Sequence, residues 1–143
     1  MPRPLSIVRF ERLYLAALVL DAANAALNWS SWMARFTASP AGAEMTWVLP
    51  VMVASLFALR VVLWYFVAHW ASVTAKWIVV ALAVISGIGL LSGVLALTTG
   101  AISSLPPALA GIAAAALYIA AAFHLFRPDT RSWFGKSYQE HDA

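Results

Sequence analysis

Cysteine is absent from all 143 residues, which excludes disulfides, thiolate metal sites and cysteine nucleophiles. Charge is scarce as well. Nine Lys and Arg and six Asp and Glu make up 10% of the chain, against about 25% in a soluble domain. There is no Gly-rich phosphate loop, no G-x-S-x-G elbow, no H-E-x-x-H and no close pair of carboxylates, so an enzyme is not expected. Apolar residues, at 63%, take the place of the missing charge. That balance belongs to a membrane protein.

Four stretches match the roughly 20 apolar residues needed to cross a hydrocarbon core of about 30 Å: about 11–32, 47–69, 77–98 and 107–126. The connections between them are short. Pro40 and Gly42 lie in the first, Met33 to Met45; the second runs from Ala71 to Lys76; the third, Thr99 to Pro106, holds Gly100, Ser103 and Ser104 before a Pro106-Pro107 pair suited to a helix start. The expected fold is all-α, one transmembrane domain over 1–143 built as an up-down-up-down four-helix bundle. Arg3, Arg9 and Arg12 before an apolar run, with small residues at 23–25, imitate a cleaved leader, but the pattern reads better as a first span.

Basic residues of short loops stay on the cytoplasmic side. Arg3, Arg9 and Arg12, then Lys76, then Arg127, Arg131 and Lys136 share one side, and only Arg35 falls on the other. Both termini are therefore expected to be cytoplasmic. Trp prefers the two water–lipid boundaries, and Trp29, Trp32 and Trp47 would share the outer one, with Trp70, Trp77 and Trp133 near the inner one. The net charge of +3 then reflects topology and needs no nucleic-acid partner. The tail after residue 126 is expected along the inner surface, with Trp133 and Phe134 touching lipid.

Within the run at 55–66 stands Arg60, at a depth where a charge costs between about 2.5 and 17 kcal/mol. Asp21 lies about ten residues past the inner end of the first span and Arg60 about ten before the inner end of the second, so both sit roughly 15 Å deep. Neighbouring antiparallel helices would bring them together, a guanidinium fork against a carboxylate. A hydrated cavity, a partner on another subunit, or snorkelling to the headgroups are the other ways to keep Arg60 in lipid. Asn24 and Asn28 follow Asp21 at i+3 and i+7, hence on one helical face continuing toward Ser31 and Trp32. That stripe is either interhelical glue or the lining of a hydrated path to the midplane.

His69 and His124, near the inner ends of the second and fourth spans, are the only metal or haem candidates, and with no carboxylate or cysteine in their layer the expectation is no metal and no cofactor. The third span carries Ser86, Gly89, Gly93, Ala96 and Gly100 at alternating spacings of three and four, and the fourth carries Gly111, Ala115 and Ala122 on one side. Both read as helix-packing faces that close the bundle, join a second copy, or do both. Tyr118 falls near mid-membrane, where its hydroxyl needs a partner.

The ending "HLFRPDTRSWF" and the opening "RFERLY", leading to "NW", resemble small four-span bacterial inner-membrane proteins. The resemblance covers about a quarter of the chain and implies a bacterial cytoplasmic membrane without implying an activity. Small multidrug transporters resemble the chain in having four helices and an acid in the first, but theirs is a glutamate with no arginine at its level. Fluoride channels are similar in span count, yet their Gly-rich and Phe motifs are missing here. The expected function is movement or sensing of a small ion or solute through Asp21, Asn24, Asn28 and Arg60 by a homo-oligomer. The rival is a non-transporting accessory subunit in which the Asp–Arg pair only locks two helices together.

Overall fold

The computed structural model describes residues 3–101 and 104–135; Ser103 of the third connection and Lys136 with the rest of the tail lie outside them. All regular elements among the described residues are helical: α1 Leu5–Thr37, α2 Pro40–Glu44, α3 Val48–His69, α4 Val73–Thr98, α5 Leu105–His124, a 3-10 turn at Pro128–Thr130, and α6 Arg131–Phe134. Of these, α3, α4 and α5 are long and apolar enough to cross a membrane. The chain is thus a membrane protein. At 33 residues α1 is longer than any of the three, but Asp21, Asn24 and Asn28 reduce its hydropathy and it falls outside that group.

Helix ends depart from the expected spans where caps decide them. Most of the connection expected over Met33 to Met45 is helical, because α1 runs on to Thr37 and Ser39 starts α2, its Oγ accepting from the Gly42 amide at 3.1 Å. The second connection shrinks to Trp70–Ser72, since the Ser72 hydroxyl accepts from the Ala75 amide at 3.2 Å and α4 begins at Val73. Ala71 makes that turn with a φ of 50°, in the left-handed region. Pro106 and Pro107 fall in the first turn of α5, where an amide would have no helical acceptor anyway.

Closeness in space follows chain order only for α4 and α5. α1 and α4 both lie along α5, whereas α3 touches α1 and α4 more thinly. The cause is side-chain size. Lipid tails are as apolar as Leu, so membrane helices associate mainly where small residues let backbones approach, and α5 buries Ala114, Ala115, Ala121 and Ala122.

The tight core gathers at one end of the molecule, where α1 and α4 begin and α3 and α5 finish. Ile7, Phe10, Val67 and Leu125 are fully buried there, with Tyr14, Leu63, Val79 and Tyr118 around them. Toward the other end α3 exposes Val51, Met52 and Leu56.

The segment after α5 clasps this core. Pro4 gives α1 no side-chain cap, and Asp129 supplies the missing acceptor: Oδ2 takes the Ser6 amide at 3.2 Å and Oδ1 the Ser6 hydroxyl at 2.8 Å. A carboxylate there also faces the positive end of the helix dipole. The Ser6 hydroxyl above all, helped by the amide, holds the Asp129 carboxyl below the usual carboxylate range. Thr130 is buried and donates to the carbonyls of Arg127 and Leu125 at 2.7 and 3.0 Å. Trp133 and Phe134 do not lie out in lipid as expected. Trp133 is half-buried and its Nε1 donates to the Val67 carbonyl at 3.2 Å, while Phe134 is buried with Lys76 Nζ 4.8 Å from its ring centre. A bond to the end of α3 and a cation on the ring draw both aromatics inward.

Asp129→Asn should lower the unfolding temperature of the protein in detergent. Because the folded carboxyl titrates below its unfolded value, its contribution is complete above about pH 4 and is lost as pH falls through the lowered folded value. Thermal melts of wild type and Asp129→Asn should therefore converge on acidification. Trp133→Phe removes one hydrogen bond and should cost about 1 kcal/mol in the same melts.

Candidate functional site

Midway along α3, Arg60 is clamped from two sides. One Nη donates to Asp21 on α1, in a salt bridge, and also to the Tyr118 hydroxyl on α5 at 3.1 Å. The guanidinium carbon lies 4.6 Å from the centre of the Tyr118 ring, so the same tyrosine offers both an oxygen and a π face. Below, the Tyr14 hydroxyl donates to the Arg60 carbonyl at 3.2 Å, and the two tyrosine rings meet edge to face at 5.1 Å. The side chains of Asp21 and Arg60 remain 25% exposed each. The pair is thus bound without being sealed in.

That residual exposure opens into a cavity of about 410 Å³ between α1, α4 and α5, on the side of Arg60 away from the tight core. Asp21, Asn24, Asn28, Arg60 and Tyr118 line it, and Ser86, Gly89, Gly93, Ser104, Gly111 and Ala115 are among the other lining residues. Under Arg60 the space narrows to a void of about 10 Å³, at the lower limit for one water. The Arg60 clamp is the floor. Only one Nη of Arg60 has a protein partner among the described residues, so the remaining guanidinium donors are left for whatever enters.

Asn24 and Asn28 bond along α1 rather than across helices: Asn28 Nδ2 donates to the Asn24 side-chain oxygen at 2.7 Å and to its carbonyl at 3.1 Å. The interhelical bonds expected of them as glue are not present among the described residues, because residues four apart on one face satisfy each other first. Asn24 instead lies against Gly111 on α5, where an added Cβ would come 3.4 Å from the amide nitrogen. Gly111 is thus a close-approach residue. So is Gly93, where a Cβ would meet Ile112 at 3.0 Å. Gly89 is not: nothing lies within 4 Å of its Cβ position, and with Ser86 it borders the cavity. The α4 stripe approaches α5 at one point and bounds open space at others.

His69 stacks on Tyr65 at 5.0 Å and meets Trp64 edge on at 5.5 Å. No group of three or more His, Cys, Asp or Glu able to hold a metal occurs among the described residues. Tyr14 is the site residue that sequence reasoning missed. Its signal was present, since Tyr14 stands seven residues before Asp21 and so two turns below it on the same face.

No family model, curated protein or solved structure matches the chain. Asp21→Asn and Arg60→Gln should each destabilise the protein in detergent, and a double-mutant cycle between them should return a coupling of about 1–2 kcal/mol. Tyr118→Phe should destabilise less than Arg60→Gln in the same melts, because the ring face stays over the guanidinium.

Proposed function

We propose that this chain is a four-span protein of a bacterial cytoplasmic membrane, with both ends in the cytoplasm, that moves or senses a small ion or polar solute through the cavity above Arg60. The observation that carries the reading is the cavity itself: a polar hollow whose floor is an intramembrane ion pair with guanidinium donors to spare. For α1 as the remaining span, the support is its sidedness. Asp21, Asn24 and Asn28 turn into the cavity, while Leu15, Val19 and Leu27 are exposed on the outside, where lipid would lie. The orientation rests on charge, since Arg9, Arg12, Lys76, Arg127 and Arg131 gather at the end with the tight core and Arg35 alone sits at the other.

On this reading Arg60 attracts and gates, Asp21 holds Arg60 in place, and the asparagine pair with Ser86 and Ser104 replaces hydration. In this proposal the void of about 10 Å³ under Arg60 is too narrow for passage, which requires the clamp to let go of Arg60. One observation favours the accessory-subunit reading, namely that the clamp joins α3 to helices it otherwise touches thinly.

Reconstituted liposomes separate the two. A transporter should show a flux of protons or small ions that Asn28→Leu, which fills the cavity, reduces, and that Arg60→Gln, which removes the floor, raises by about tenfold, corresponding to ~1.4 kcal/mol. An accessory subunit should show no flux in any of the three and should co-purify with a larger complex.

A further inference from the structure

On the outside of α4 and α5 lies a second hollow that the polar cavity does not reach. It measures about 330 Å³ and its walls are almost wholly apolar, with Val80, Ala83 and Gly87 on one side and Ile119, Ala122 and Phe126 on the other. Both helices are apolar enough to cross a membrane, so what fills a hollow on their outer surface comes from the bilayer. From Lys76 to Gly87 α4 rises about 16 Å, roughly half of the ~30 Å hydrocarbon core. The slot is one leaflet deep.

Its end near the start of α4 is charged. Phe126 closes the slot there, with Lys76 Nζ 4.9 Å from its ring centre and 4.8 Å from that of Phe134. Held over two rings, the ammonium is fixed in position, and it makes no salt bridge with a carboxylate among the described residues. Trp77 meets Phe126 edge on at 6.0 Å, a boundary aromatic at the same level, and the exposed Arg127 follows Phe126 directly. A slot for one hydrocarbon chain that ends at a positioned cation with no carboxylate on it among the described residues is complementary to a lipid with a net negative headgroup. A zwitterionic headgroup would bring a second cation against Lys76.

We propose that this hollow binds one acyl chain of an anionic phospholipid from the leaflet on the Lys76 side, with the lipid phosphate on Lys76. Gly87 gives the slot its depth. An added Cβ there would come no nearer than 3.8 Å to Ile119 Cδ1, so a larger side chain at 87 fits against α5 while occupying the hollow.

Native mass spectrometry of delipidated protein in detergent tests this with phosphatidylglycerol and phosphatidylcholine of identical chains. Wild type should retain phosphatidylglycerol about fivefold better, Lys76→Gln should bring the two lipids level, and Lys76→Arg should keep the preference. Gly87→Leu should lose both lipids with an unchanged melting temperature. Equal retention of the two lipids by wild type overturns the proposal, as does undiminished lipid on Gly87→Leu. A lipid-free dimer that Gly87→Leu dissociates also overturns it, making the slot a contact between copies.

Discussion

An arginine halfway along an apolar helix must be compensated before that helix can rest in lipid, and two other helices share the task here. Asp21 of α1 brings the opposite charge, while Tyr118 of α5 brings a hydroxyl and a ring face. Neither alone completes the arrangement. A carboxylate would leave one side of the guanidinium plane bare, and a tyrosine would leave the charge unbalanced. Three helices are thereby held in register at one depth, so that α3, anchored at its end by Leu63 and Val67 in the core, is also held at its middle.

The clamp also divides the molecule. On one side lie Phe10, Val67 and Leu125, with a void of about 10 Å³ beneath the guanidinium; on the other lies a hollow of about 410 Å³. Small residues serve different purposes in the two halves. Ala121 and Ala122 let α5 approach its neighbours closely in the tight half, whereas Gly89, with nothing near it, keeps a wall of the hollow thin. The same residue type closes space where the helices converge and leaves it open where they diverge.

The level of Asp21 and Arg60 was readable by counting residues from the span ends, because helical rise is constant and the connection between their helices is short. The need of Tyr118 for a partner was readable from its depth alone. What could not be read was the pairing of helices: α1 lies closest to α5, its most distant long helix in sequence, because alanine content rather than connection length sets close approach in lipid. Nor could spacing tell packing glycines from cavity glycines, since Gly89 and Gly93 share a face and differ only in what stands opposite. The segment 128–134 looked like a surface tail because its composition is mixed. Its role depends on where Asp129 lands, one carboxylate set against a helix start that lacks a cap of its own.

That last contact bears on how the molecule is made. Ser6 and Asp129 are separated by 123 positions, so the opening turn of α1 leaves the ribosome well before its acceptor and waits while the residues between them are translated. Completion of α1 thus coincides with arrival of the segment that follows α5, and a nascent chain halted before residue 129 carries an unfinished α1 however well its other helices have inserted.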